Sequence, residues 1–183
     1  MKIALASKSP RRRELLQQIG IEFEIIDIDI DESWDGDENP EDYVRRIAIE
    51  KAQAGKALLK NNCPVLAADT AVVLDGHILG KAENKNDAIT MLGKLSGKTH
   101  EVLSAVCVIS TEEQTKLSTS KVTFKTLSNE EIKDYCSSDE PIGKAGGYAI
   151  QGKAAVFIEQ LEGSYSGVMG LPLFETQQLL DRA

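Results

Sequence analysis

Histidine and cysteine are scarce in this 183-residue chain, with two of the first and three of the second. His77 and His100 lie far apart, and Cys63, Cys107 and Cys136 are odd in number and widely spaced. Neither a disulfide framework nor a thiolate or imidazole metal site is supported, which leaves a carboxylate-held hard cation as the only metal site to expect. Long apolar runs are missing too. A stretch such as residues 65–68 falls far short of the roughly 20 apolar residues that span a bilayer, so a soluble protein without a membrane partner is expected. The first apolar residues meet a basic cluster almost at once, too soon for a signal-peptide core, and the expected location is cytoplasmic. Positive charge is in deficit: 21 basic residues against 29 acidic ones give a net charge of -8. Nucleic-acid binding needs a basic footprint, so none is expected, and an anionic ligand would need a local basic pocket. Repeats, low-complexity tracts and Pro/Gly-rich linkers are also absent, and the expectation is one domain over residues 1–183.

With 42% hydrophobic residues the chain can bury a core, and its patterning alternates strand and helix. Residues 2–6 read as a strand, followed by Ser9-Pro10 as cap and first residue of a helix that stops at Gly20. Residues 22–30 read as a second strand with an irregular step at Ile25-Ile26, then an acidic loop to Asn39. Asn39-Pro40 opens a long helix to about Lys60, whose expected buried stripe is Tyr43, Ile47, Lys51, Ala54 and Leu58. Residues 65–68 read as a strand, and residues 71–79 as a hairpin turning at Asp75-Gly76, which leaves Asp69-Thr70 between sheet elements. A helix over 87–95, strands over 99–109 and 115–125, and a capping box from Ser128 to Glu131 opening a short helix follow. A glycine-rich segment, 143–152, leads to a strand over 156–161 and a final helix over 171–180.

Three places carry chemistry. Ser7, Lys8, Ser9, Arg11, Arg12 and Arg13 crowd the junction of the first strand and helix, where unpaired N–H groups and the helix dipole already favour an anion. Arginines at that end are locally unfavourable unless something anionic meets them, and helical spacing lets one of them, Arg13, be plain surface. Lys51 falls on a buried helical stripe, so it must snorkel outward or meet a counter-charge. Asp69 ends an apolar strand, where a carboxylate can hold a divalent cation or accept a proton from water, or simply make a turn. Glu32, in the acidic loop, is a candidate second carboxylate.

These features resemble the Maf family of nucleoside triphosphate pyrophosphatases over nearly the whole chain. The likeness rests on SKSPRRRELL (7–16), EKA (50–52), ADT (68–70), LGK (79–81), LSGKTHEV (95–102), AGGYAIQG (145–152) and EGSYSGVMGLP (162–172). It implies an elongated α/β fold, a mixed sheet with flanking helices and two lobes around a deep cleft, similar to the inosine triphosphate pyrophosphatases. It also implies cleavage of a nucleoside triphosphate to monophosphate and pyrophosphate. Carried over by motif, Asp69 is the catalytic base or metal-linked carboxylate, and Ser7, Arg12, Lys51 and Lys81 contact phosphate; Glu32, read from the residues alone, is the second carboxylate expected to hold metal. Carboxylates with no usable His or Cys fit a hard divalent cation, magnesium or manganese, as the expected cofactor; a homodimer is a candidate assembly. Arg11, Thr70 and Gln151 match the subfamily acting on dTTP and UTP, whereas the methylated-GTP subfamily carries an aromatic residue, glutamine and glutamate there. Ala71 and Lys8 depart from the subfamily's usual residues, the second at a place where it could alter pocket polarity.

The chemistry suits those residues. A triphosphate repels an attacking water until cations screen it, and an amide such as Gln151 can both donate to and accept from a thymine or uracil edge. A binding-only regulator of septum formation is the competing class, and it would need neither Asp69 nor a metal. A P-loop enzyme is excluded by the missing GxxxxGK[ST] motif.

Overall fold

The computed structural model describes residues 2–183. In chain order the elements are β1 (Lys2–Leu5), α1 (Pro10–Gln18), β2 (Glu22–Ile25), α2 (Pro40–Leu58), β3 (Val65–Leu74), β4 (His77–Leu79), α3 (Lys85–Leu95), β5 (Thr99–Ile109), β6 (Glu113–Phe124), α4 (Asn129–Ser137), a 3-10 helix (Lys153–Phe157), β7 (Ile158–Glu162), α5 (Tyr165–Met169) and α6 (Leu173–Leu180). The strands form one mixed seven-stranded sheet in the order β2-β1-β3-β5-β6-β7, with β4 paired to β3. β1 runs parallel to both β2 and β3, while β3, β5 and β6 are antiparallel neighbours. None of the described helices is long and apolar enough to cross a membrane.

Side-chain alternation along β3 and β5 divides the core. Ala67, Ala71, Val73, Leu103, Ala105 and Cys107 pack with Val44, Ala48 and Ala52 of α2 on one face. On the other face Leu66, Ala68, Val106 and Val108 join α1 and α6, and further along Val72, Leu74 and Val102 join α3 and α4. That second face therefore carries two separate apolar clusters. The gap between them falls at Thr70 and Ser104, which are direct partners in the β3–β5 ladder.

A second gap opens in the sheet itself. The outer edge of β3 is taken by β1 at Val65 and Leu66 and by β4 from Val72 onward, so the stretch between them faces no strand on that side. Asp69 and Thr70 lie in this stretch, inside a continuous ten-residue strand. The expectation that they separate two sheet elements is corrected: β5 pairs with every residue from Val65 to Val73 and carries the strand straight through.

Other local readings shift for identifiable reasons. β2 stops at Ile25, the irregular step, because β1 has no residue left to pair with it. On α2 the buried residues are Val44, Ile47, Ala48, Lys51, Ala52 and Gly55, while Leu58 is 62% exposed. A stripe stepped mostly by four residues drifts around a helix of 3.6 residues per turn, and Leu58 has drifted out to solvent. Gly55 belongs to the true stripe because a Cβ there would lie 2.9 Å from the Ala6 Cβ. The expected strand from residue 156 begins two residues later, after the 3-10 helix, and α5 precedes the C-terminal helix. The Asp75-Gly76 turn, with φ of 52° and 79°, and the capping box of α4 form as the sequence predicts.

His100 is buried in the cluster beside α3, edge-on to Phe124 and Tyr148, with its Nε2 2.8 Å from the Tyr148 hydroxyl. Burial pushes its pKa down from 6.5 to about 4. The unfolded chain thus takes a proton that the folded chain refuses, so this contribution to stability is intact above pH 6.5 and lost as pH falls toward 4. The full loss amounts to about 3 kcal/mol. Denaturant unfolding from pH 7.5 to 5 should show a stability slope that flattens in His100→Gln; an identical slope in both proteins would contradict the assignment.

Candidate active site

The cleft opens at the unpaired edge of β3 and encloses about 400 Å³. Its floor is Asp69, Thr70 and Val72, flanked by the β1–α1 junction, Glu32, Lys81, the glycine-rich segment and residues 168–170. Both faces of a strand meet at its free edge, so Asp69 and Thr70, which point in opposite directions, can line one cavity.

Each wall has a local cause. β1 ends beside β3, and the chain turns at once into α1, whose first residue is Pro10 and whose first turn carries no acidic residue. Ser7 accepts hydrogen bonds from the Ser9 N–H at 3.2 Å and from Arg12 Nη1 at 3.1 Å, which folds the junction around its hydroxyl. Arg12 also donates from Nε to the Gly170 carbonyl at 2.8 Å, tying α1 to the end of α5. Burial lowers its pKa and the nearby Asp69 and Glu32 charges oppose that, yet a guanidinium remains charged at neutral pH. Arg11 is bridged to Glu14 one turn on at 2.9 Å, whereas Arg13 faces away and donates to the Lys8 carbonyl.

Lys51 rises from α2 beneath the cleft. Its ammonium lies 2.9 Å from Asp69 Oδ1 and 3.0 Å from Glu32 Oε2, with 7% of the lysine side chain and 8% of the Asp69 side chain exposed. The buried stripe therefore resolves into a counter-charge, not a snorkelling chain. Lys51 is absent from the cavity wall itself and acts on it through the two carboxylates. Lys81 approaches from the opposite side, 3.4 Å from the same Glu32 oxygen and 63% exposed. Burial pushes the Glu32 carboxyl up, but the pull of Lys51 and Lys81 outweighs it and leaves the group below its ordinary value. Glu32 is placed by its loop: the Tyr43 hydroxyl donates to the Glu32 carbonyl at 2.7 Å, and Arg46 clamps both Glu38 oxygens.

The glycine-rich segment closes the far wall. Gly146 donates to the Gly80 carbonyl at 3.1 Å with φ of +66°, and a Cβ there would come within 3.0 Å of Val72. Only glycine meets both demands. The segment thus lies against the chain after β4 and brings Lys144, Tyr148 and Gln151 to the cavity.

All the predicted site residues except Lys51 line this one space, and Lys51 supports it from below. Lys144 and the buried Ser104 behind Thr70 went unmarked in the sequence. The first follows a glycine in a motif already notable, and the second has no local signal at all. Lys8, Arg11, Arg12, Lys81 and Lys144 set five cations against the two carboxylates, a local basic pocket in a chain of net charge -8. Among the described residues no group of three or more His, Cys, Asp or Glu side chains could hold a metal by itself. Glu32 and Asp69 still form a pair suited to a cation that completes its shell with substrate oxygens and water.

The chain has relatives among known proteins along nearly its whole length. The dTTP/UTP pyrophosphatase of Alkalilimnicola ehrlichii is 54% identical over 184 residues, covering 98% of this chain and 91% of that one. Those of Methylococcus capsulatus and Vibrio parahaemolyticus are 51% and 49% identical, each over 98% of this chain and over 90% and 96% of their own. Among solved structures, the Staphylococcus aureus Ham1 protein aligns with a TM-score of 0.49 at 18% identity, over 68% of this chain and 72% of that one. A profile described as Maf-like protein matches residues 2–183, and with relatives at half identity along nearly their whole length the chain belongs to the Maf family.

Proposed function

We propose that this chain is a nucleoside triphosphate pyrophosphatase that cleaves dTTP and UTP to the monophosphate and pyrophosphate in the cytoplasm. The observation that carries the reading is the buried Asp69–Lys51 pair, joined by the half-buried Glu32 at the floor of a cationic cleft. A binding-only protein would not need a carboxylate held at that depth on the floor of an anion pocket. The names of the relatives support dTTP and UTP as the substrate class.

In this mechanism Arg12, Lys81, Lys144 and the amides at the start of α1 take the triphosphate oxygens. Lys51 holds Asp69 Oδ1, and no described residue donates to Oδ2, which is left to accept a proton from the attacking water. A magnesium or manganese ion on Glu32 and Asp69 would screen phosphate charge and stabilise what develops on the leaving pyrophosphate. Ser7 fixes the Arg12 guanidinium, so its effect on phosphate is partly indirect. Arg11 from the β1–α1 junction, Thr70 from the floor and Gln151 from the glycine-rich wall line the same cavity and read the base.

Pyrophosphate release across a nucleotide panel tests the reading. The wild-type protein should prefer dTTP and UTP to ATP and GTP, and Arg11→Tyr with Thr70→Gln and Gln151→Glu should lower kcat/KM for dTTP by about 10-fold or more, since each mismatched polar contact costs about 1 to 3 kcal/mol. Equal cleavage of ATP and dTTP by the wild type would refute base reading at these positions.

A further inference from the structure

Thr70 has its hydroxyl proton assigned by its neighbours. The Ser104 hydroxyl is fully buried and lies 2.6 Å from the Gly167 carbonyl, which can only accept. Ser104 therefore spends its one proton there. Its oxygen is 2.8 Å from Thr70 Oγ1, and with no proton left on Ser104 the donor in that contact must be Thr70. Gly167 is itself held, because its carbonyl also takes the Gly170 N–H at 3.0 Å and its own N–H donates to Ser164 Oγ. The chain of bonds runs one way, from Thr70 through Ser104 into α5, and Thr70 presents only lone pairs to the cleft.

We propose that Ser104 is a positioning residue for base selection: it fixes Thr70 as an acceptor, so the base edge meeting Thr70 must offer an N–H. The proposal rests on the base-reading role given above to Thr70 and specifies its polarity. Uracil and thymine supply N3–H to such an acceptor and leave O4 for the Gln151 amide donor. Cytosine presents the reverse pattern, a lone pair at N3 and an amino group at position 4. Freed from Ser104, the Thr70 hydroxyl could rotate and donate into the cleft, and the polarity of the site would no longer be set.

The test is the ratio of kcat/KM for UTP to that for CTP in the wild type, Ser104→Ala, Thr70→Val and the double variant. Ser104→Ala should move the ratio about 10-fold toward CTP. In the Thr70→Val background the same Ser104 change should leave the ratio where it is, because the hydroxyl it controls is gone. A general loosening of the fold would move both substrates together and would persist in that background. An unchanged ratio in Ser104→Ala, or a Ser104 effect undiminished without the Thr70 hydroxyl, overturns the relay. If Ser104→Ala fails to fold, Thr70→Val alone must lower the UTP to CTP ratio, and its failure to do so overturns the proposal. If Thr70→Val also leaves the preference for UTP over ATP unaltered, the base-reading role itself falls, which separates that failure from the failure of Ser104 alone.

Discussion

Asp69→Asn should lower kcat for dTTP by about 10²-fold or more while nucleotide still binds, the scale expected for deletion of a general base. The geometry makes asparagine a stringent replacement. Lys51 can only donate, so an asparagine at 69 turns its carbonyl oxygen to the ammonium and its NH₂ to the water, a donor where an acceptor is required. The basic side chains of the cleft wall are untouched, so titration of the variant with a non-hydrolysable dTTP analogue should give a dissociation constant within several-fold of wild type. Turnover within a few-fold of wild type would remove Asp69 from the catalytic role.

Lys51→Ala is expected to damage stability and activity together. Removing one partner of a buried ion pair leaves the other charge uncompensated, a loss of about 3 kcal/mol on the usual scale. Here two carboxylates are left facing each other where one ammonium stood between them. Glu32, now held below its usual value, contributes stability that is present above pH 4.5 and lost as pH falls; without Lys51 most of that pull is gone. Glu32 then faces the Asp69 charge with only Lys81 to hold it down, so its pKa rises and the acidic limb of the pH–rate profile should move upward, with kcat reduced and KM raised. Equilibrium unfolding at pH 7 and a pH–rate profile are the measurements. A variant within 1 kcal/mol of wild-type stability and with an unmoved acidic limb would show that Lys51 does not organise the pair.

Much of the molecule was legible in its residues. The Asp75-Gly76 hairpin, the Ser128–Glu131 capping box and the helix expected over 87–95, which begins two residues earlier at Lys85, depend on contacts within a few positions, and local patterning found all three. The excess of acid pointed to a confined basic pocket for any anion, and the cleft is such a pocket. A lysine on a buried stripe demanded a counter-charge or an escape route, though not which.

The choice of partner belonged to the tertiary structure. Lys51 meets Asp69 because β3 packs on α2, and Arg12 meets Gly170 across 158 positions of chain because α5 folds back onto α1. Asp69 and Thr70 read as a break between elements since their polarity interrupts two apolar runs, yet β5 pairs straight through them and the interruption becomes the floor of the cleft. Ser104 carried no signal: a serine within a strand means nothing until the β3–β5 register sets it opposite Thr70 and α5 brings a carbonyl to its other side. Short-range preferences act through the few residues a side chain can reach along its own helix or strand, and so they are written in sequence spacing. Strand register and helix docking decide contacts across tens or hundreds of positions, and with them which charges neutralise one another and which way a buried hydroxyl must point.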